Sequence, residues 1–108
     1  TFDDVEGEPT SVVRKRVWAA RAAAAERWRP YGFTTNAEVS GALLRREFAL
    51  GAEAMKPLRT AVDRGSLSIR GMHRTVRVAW TLADLAGRGS PGKDDVATAM
   101  SFRGVGGL

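Results

Sequence analysis

The sequence predicts an all-α domain, a small bundle of about five helices in which the fourth, near residues 69–86, lies at the centre. Apolar residues recur at helical spacing between the turn signals, and no segment shows the strict alternation typical of a strand. The fourth segment is apolar on most sides, which is typical of a helix enclosed by others. With 108 residues, 44% of them apolar and 27% charged, the chain suits one globular domain with a single core.

The first helix is predicted to begin at Thr10 or Ser11 and to run to about Arg29, where Pro30 stops it. Residues 1–9 contain four acids and no base, lack any periodicity, and are expected to form a flexible acidic linker. Within the helix, the apolar positions that share one face are Val13, Val17, Ala20, Ala24 and Trp28.

The next two helices are predicted to be shorter. After a turn-rich loop, Asn36 can cap a second helix. A third helix is expected over 52–64, with Gly65 as its stop signal. Pro57 lies inside that pattern, so the helix either begins near Met55 or kinks at the proline. The residues expected to face inward are Val39, Leu43 and Leu44 from the second helix and Ala54, Leu58, Ala61 and Val62 from the third.

Ser68 is predicted to cap the fourth helix, and Gly87 to end it. The last helix should begin at about Lys93, before two aspartates that suit the positive end of its dipole, and end near Phe102. The predicted organisation is a linker at 1–9, a helical domain at 10–103 and a frayed, glycine-rich tail at 104–108.

The composition excludes several classes of function. The absence of cysteine excludes disulfide scaffolds, thiolate zinc sites and cysteine nucleophiles, and a single histidine, His73, argues against a metal site or a histidine-based triad. The chain has no G-x-x-x-x-G-K-S/T motif, so it cannot hold a nucleotide alone in the P-loop manner, and we expect no enzyme activity from it in isolation. With no membrane-length apolar stretch, no leader and a start at Thr1, we expect a piece of a longer cytoplasmic protein.

The net charge of +5 comes from 17 basic residues, of which three are lysine and the rest arginine. The planar guanidinium suits phosphate and carboxylate recognition better than the point charge of lysine. A GC-rich genome, which raises arginine and alanine together, accounts for the same excess. The positions of the arginines must therefore decide between these explanations.

The polar residues of the fourth helix fall on one stripe, which consists of Arg70, Arg74, Arg77, Thr81 and Asp84. The N-terminal end of this stripe combines the Ser68 cap, free backbone N–H groups and Gly71, which permits close approach, with Arg70 and Arg74. This is the chemistry of an anion site, and phosphate is its natural occupant. Alternatively, these arginines pair with acids of neighbouring helices. Arg74, one turn further in, is expected to have the more structural role of the two.

The other candidates have simpler explanations. His73, beside the stripe, suits a packing or hydrogen-bonding role better than that of a ligand. The run Arg14-Lys15-Arg16 could contact nucleic acid, although three basic residues near a helix start usually form a solvated face. The tryptophans that could stack on bases, but whose spacing favours core or interface positions, are Trp18, Trp28 and Trp80.

The segment from Leu67 to Leu85, with its L-S-x-R start and A-D-L end, resembles the C-terminal domain of magnesium-chelatase-like AAA+ ATPases, and most closely the ComM/YifB group. Shorter elements extend the resemblance over most of the chain. These are Arg16-Val17, Ala20-Arg21 and Arg27 in the first helix, Asn36-Ala37, and Asp95-Val96 through Ala99 to Phe102-Arg103. The chain departs from the group's pattern at Ala24, where glutamine is usual, and at Trp80, where arginine is usual, which puts in doubt the polar contacts that relatives make there.

The resemblance implies the helical lid of an ATPase whose core, with its Walker motifs, precedes Thr1. It implies that Arg70 is the sensor-2 arginine that reaches the phosphates of ATP, with Mg²⁺ as the second cofactor of the parent protein. It also implies a ring, hexameric in this family, in which the lid contacts its own core and neighbouring subunits. In the ComM-like group the motor acts on DNA, whereas true chelatase subunits drive metal insertion into a porphyrin, and kinship of fold does not choose between them.

Two further hypotheses remain open. One is a stand-alone basic helical module that binds nucleic acid, which explains the high isoelectric point and the Arg14-Lys15-Arg16 run. The other is a protein-interaction module, for which replacing Arg70 would change only stability.

Overall fold

The structure is a computed structural model that describes residues 10–46 and 50–106. Within these residues the chain forms five α-helices, which we number in chain order, and two 3-10 turns, and contains no strand. The helices are α1 (Thr10–Trp28), α2 (Gly41–Arg46), α3 (Ala52–Asp63), α4 (Ile69–Leu85) and α5 (Lys93–Gly106), and the 3-10 turns are Arg29–Tyr31 and Asn36–Glu38. The predicted acidic linker, 1–9, and the last two residues of the predicted tail lie outside the described residues.

Helix α4 is the centre of the bundle, as predicted. It packs against each of the other four helices and against the 3-10 turn Asn36–Glu38. Its buried side chains join a single apolar core that includes Trp28 from α1, Leu58 from α3 and Val96 from α5, each with no measurable exposure. None of the described helices is both long and apolar enough to cross a membrane.

The boundaries of α3 and α4 follow the local signals in the sequence. The Ser68 hydroxyl accepts a hydrogen bond from the Gly71 N–H at 3.0 Å, which caps α4. Gly65 after α3 and Gly87 after α4 have φ values of +77° and +75°, a left-handed conformation that glycine adopts without the steric cost of a Cβ. These stop and start signals therefore correspond to real helix ends.

Helix α1 is only partly covered by the bundle. The predicted apolar face is correct in the second half, where Ala20, Ala24 and Trp28 are buried. The prediction is wrong for Val13, which is 40% exposed, because no other element of the described residues covers the first turns of the helix. The spacing identified the face correctly, but spacing carries no information about how far the neighbouring helices reach.

Three other predictions need correction. Asn36 is buried within a 3-10 turn and does not cap a helix, and the helix that follows begins only at Gly41. Helix α3 begins at Ala52, in agreement with the expected range, so the alternative start near Met55 is wrong; Pro57 lies inside the helix at an exposed position. The last helix does not end near Phe102 but is helical to Gly106, so the predicted tail is helical at its start.

Candidate functional site

The N-terminus of α4 is the end of the central helix that faces solvent. Here the Ser68 hydroxyl accepts a hydrogen bond from the Gly71 N–H, and the Ser68 carbonyl accepts one from the Met72 N–H at 2.9 Å. Gly71 is buried and its N–H is taken, so it does not provide the close approach for an anion that its lack of a side chain suggested. The N–H groups of Ile69 and Arg70 remain directed out of the helix end, since a helix cannot satisfy them internally.

Arg70 and Arg74 lie one helical turn apart and are both exposed. Neither forms an ion pair with a carboxylate of the described residues. The alternative in which these two arginines pair with acids of neighbouring helices therefore finds no support in the described part of the chain. Arg74 is exposed like Arg70, so the described residues give no support to the more structural role expected for it.

Arg77 is the structural arginine of the stripe. It is half-buried, and its Nε donates a hydrogen bond to the Val39 carbonyl at 2.8 Å. Burial lowers the pKa of its guanidinium, although the group remains charged. The bond ties the middle of α4 to the connection between α1 and α2. The stripe therefore has two exposed arginines toward the N-terminus of α4, whereas Arg77, further along the helix, is held in place by this bond.

His73 lies on the neighbouring side of α4 and is packed tightly. Its Nε2 lies 2.9 Å from Nη1 of Arg45, and because a guanidinium can only donate, Nε2 is the acceptor and Nδ1 carries the proton. Burial, followed by the positive charges of Arg45 and Arg77, lowers the pKa of His73 from 6.5. A Cβ on Gly41 would lie 2.2 Å from Nδ1, so α2 approaches the ring only because position 41 lacks a side chain. This is the packing and hydrogen-bonding role that the sequence favoured.

The other end of the stripe forms a polar cluster of Arg27, Asn36, Thr81 and Asp84, in which Asn36 and Asp84 are buried, Arg27 is partly buried and Thr81 is exposed. Arg27 forms a two-pronged ion pair with Asp84, in which Nη1 lies 3.1 Å from Oδ2 and Nη2 contacts Oδ1; the Asp84 side chain is 1% exposed and that of Arg27 13%. Asn36 donates through Nδ2 to Asp84 Oδ2 and to Thr81 Oγ1, both at 3.0 Å. Its Oδ1 accepts from Arg27 and from the indole N–H of Trp28, at 3.2 and 2.7 Å. Every polar atom of the Asn36 amide is therefore engaged.

Two tryptophans enclose this cluster. The Trp28 and Trp80 rings meet edge to face, with centroids 5.8 Å apart. The guanidinium of Arg27 lies 4.3 Å from the Trp80 centroid and 5.4 Å from that of Trp28. Trp80, which stands where the resembling group usually has arginine, is only 5% exposed, so this face of α4 is dry.

The polar cluster is the feature that residue-by-residue reasoning missed. Its members were visible as the end of the α4 stripe and as separate elements of the family resemblance, but their mutual pairing was not. Asn36 and Asp84 are 48 positions apart, and no local pattern reports a contact over that separation. The cluster fixes α4 to α1 and to the α1–α2 connection.

The structure thus brings Ser68, Arg70 and Arg74 to one solvent-facing helix end, where charge and open N–H groups favour an anion. The same helix is anchored at its other end by the Arg27–Asp84 ion pair. The described residues contain no group of three or more histidine, cysteine, aspartate and glutamate side chains close enough to hold a metal ion.

Comparison with known proteins gives a match of residues 7–103 to the family model described as magnesium chelatase, subunit ChlI C-terminal. The chain is 68% identical over 105 residues to the uncharacterized protein Rv2897c of Mycobacterium tuberculosis, and equally to the uncharacterized protein Mb2921c of Mycobacterium bovis. These alignments cover 97% of this chain and 21% of each relative, so the chain spans about a fifth of the length of the curated relatives it matches. No solved structure matches.

The family model covers the five helices of the bundle apart from the end of α5, together with the residues of the polar cluster and the arginines of the exposed helix end. The match extends over most of the chain, and the all-helical fold agrees with a small C-terminal domain. The chain therefore belongs to the magnesium chelatase subunit ChlI C-terminal family.

Proposed function

We propose that this chain is the lid of a magnesium-chelatase-related AAA+ ATPase of the ComM/YifB type, and that Arg70 senses the phosphates of Mg-ATP. The observation that carries the proposal is the exposed Arg70, without a carboxylate partner among the described residues, at the capped N-terminus of the central helix. Arg27, which is largely enclosed, is paired with Asp84, whereas the exposed Arg70 has no carboxylate partner among the described residues and so suits an external anion.

The arrangement around Arg70 supports the same occupant. Arg74 lies one turn away, and Arg45 and Arg77 add positive charge on the neighbouring side of α4. The open N–H groups and the dipole at this helix end favour a phosphate over a neutral ligand. Ser68 contributes as the cap that keeps the end in place, and its hydroxyl proton remains able to donate.

The rest of the nucleotide site must come from outside this chain, because the sequence has no phosphate-binding loop. The curated relatives are about five times longer than the matched region, which leaves room for an ATPase core. In this proposal the core holds the nucleotide and Mg²⁺, and the lid completes the site with Arg70, and with Arg74 and Ser68 beside it.

ATP hydrolysis by the parent protein tests the proposal. Arg70→Ala should reduce turnover by about 100-fold or more, because an arginine that stabilises charge on a transferring phosphoryl group contributes several kcal/mol to the transition state. Arg64→Ala, which removes an exposed arginine after α3, is the matched control and should leave turnover near that of the wild type. Wild-type turnover in a folded Arg70→Ala parent would refute the sensor role.

For the motor itself we propose DNA as the substrate and a ring, hexameric as in related ATPases, as the assembly. The net charge of +5 on the chain supports DNA as the substrate, and the ring rests on the resemblance. DNA should therefore stimulate the parent's ATPase, and light scattering with ATP present should give the mass of a ring. An unstimulated ATPase would favour a chelatase-like role.

A further inference from the structure

The first half of α1 presents a basic face that the bundle does not cover. Between Thr10 and Ala25 the helix carries Arg14, Lys15, Arg16 and Arg21 and no acid. The buried residues of α1 are confined to its second half. The side chains of Arg14, Lys15 and Arg21 are exposed and therefore accessible to a partner.

Trp18 stands in the middle of this face. Its exposure is 71%, whereas Trp28 and Trp80 are 0% and 5% exposed. Trp18 lies roughly 120° around the helix from Ala24, so it does not point along the direction in which α1 meets the core. An indole with this exposure gains nothing from the hydrophobic core, which calls for another explanation of an aromatic residue here.

The neighbours of Trp18 define the kind of partner that fits. Arg14 precedes it by four residues and Arg21 follows it by three, so the two arginines flank the ring on one helical face. Both are exposed and form no ion pair with a described carboxylate. In the next turn Ala22 and Ala25 carry only a methyl group, which leaves space beside the ring.

We infer that the Arg14–Trp18–Arg21 face of α1 binds single-stranded nucleic acid, with a base stacked on Trp18 and the adjacent phosphates held by Arg14 and Arg21. Single strands combine exposed π-faces with a regular negative charge, and proteins that hold them combine aromatic side chains with basic ones. An intact duplex offers the charge but no free base to stack. An acidic protein surface offers the charge but gives the indole no stacking partner.

This inference deepens the proposal that the parent acts on DNA, and rests on it only for the biological setting. The face uses none of the residues assigned to ATP sensing, and it lies on α1, whereas Arg70 lies on α4. The two proposals can therefore fail separately.

The test measures binding of the 108-residue chain to a fluorescently labelled single-stranded DNA of about 16 nucleotides, by anisotropy and without ATP. Trp18→Ala should weaken binding by about tenfold, and Trp18→Phe should recover part of the loss because a phenyl ring also stacks. In the wild type, bound DNA should quench the tryptophan emission, and this quenching should disappear in Trp18→Phe, since the remaining two tryptophans are buried.

The arginines are tested by salt dependence. Arg14→Gln combined with Arg21→Gln should reduce the slope of log affinity against log salt by about 1.4, as for two phosphate contacts on a single strand. The control combines Lys56→Gln with Arg64→Gln, which removes the same charge from exposed positions of α3 and its end. It should change the affinity and the slope much less.

Each contrary result overturns the inference. The site is excluded if the chain does not bind at low salt. It is also excluded if duplex and single strand bind equally and Trp18→Ala has no effect, or if the α1 pair and the control pair of substitutions have equal effects. Trp18-dependent binding together with a parent ATPase that DNA does not stimulate would retain the site and reject the DNA motor. All these variants replace exposed side chains, and circular dichroism should show the helix content unchanged.

Discussion

The buried ion pair between Arg27 and Asp84 makes the sharpest prediction about stability. Asp84 accepts from both terminal nitrogens of Arg27 and from Asn36, and its side chain is almost completely enclosed. Asp84→Ala would leave the Arg27 guanidinium beside two tryptophans with only the Asn36 oxygen as acceptor. Breaking a buried pair by removing one partner costs about 3–5 kcal/mol. That is a large part of the roughly 5–15 kcal/mol expected for a domain of this size.

Urea unfolding followed by circular dichroism gives the measurement. Arg88→Ala is the matched control, because the ion pair of Arg88 with Asp95 has one partner that is 54% exposed. Asp95 also keeps its hydrogen bond from the Gly92 N–H at 2.9 Å and its place at the start of α5. The control should therefore cost about 1 kcal/mol or less.

A double-mutant cycle separates the pair from its surroundings. Arg27→Met with Asp84→Leu removes both charges, and the double variant should be clearly more stable than the sum of the single changes predicts. Asp84→Asn keeps the shape of the side chain and provides a measurable variant if Asp84→Ala does not fold. If Asp84→Ala costs no more than Arg88→Ala, or if the coupling in the cycle is close to zero, the cluster does not hold the fold as argued.

Three further predictions concern packing and charge around α4. Trp80→Ala should lower the free energy of unfolding by about 3–5 kcal/mol, whereas Trp18→Ala should change it by about 0.5 kcal/mol or less, and equal losses in urea would contradict the assigned core. Gly41→Ala should cost about 1–3 kcal/mol in thermal unfolding because the new methyl group meets the His73 ring, and combining it with His73→Ala should recover most of the loss. Burial, and then nearby positive charge, lowers the pKa of His73, so the protein should lose stability as the pH falls below 6.5 toward the lowered pKa. His73→Gln should abolish this pH-dependent contribution. An imidazole that titrates at or above 6.5 by NMR would contradict the prediction.

The helices that could be predicted in detail are those with strong local signals at both ends. Ser68, Gly65 and Gly87 each act through the backbone next to them, so their effects are readable from a few residues. The nearly continuous apolar character of α4 likewise predicted its central position. These features do not depend on what the rest of the chain does.

The errors occur where a distant partner outweighs the local preference. Asn36 has the side chain of a good helix cap, yet its amide is fully engaged by Arg27, Trp28, Thr81 and Asp84, contributed by helices on either side of it in sequence. Val13 has the correct spacing for a core position, but within residues 10–46 and 50–106 no other element covers that part of α1.

The candidate site shows the same division. The stripe of arginines was readable from spacing alone, and the exposure of Arg70 is compatible with the phosphate-sensing role that the resemblance implies. Which of the remaining arginines is structural was not readable, because the Val39 carbonyl that holds Arg77 belongs to a connection with no regular pattern. In the structure Arg70 and Arg74 are both exposed, whereas Arg77 is half-buried and therefore has the structural role.

The polar cluster also determines how the two proposed contact surfaces relate to each other. Arg70 lies at the first turn of α4 and Asp84 at its last, about 20 Å apart along a continuous helix. Arg27 joins Asp84 to α1, the helix whose first half carries Trp18. The proposed phosphate contact at one end of α4 and the proposed nucleic-acid contact on α1 would therefore be made by two helices that a buried ion pair holds in one orientation. Since Arg70 and Trp18 are surface residues, replacing either should impair one contact alone, whereas loosening the Arg27–Asp84 pair should impair both.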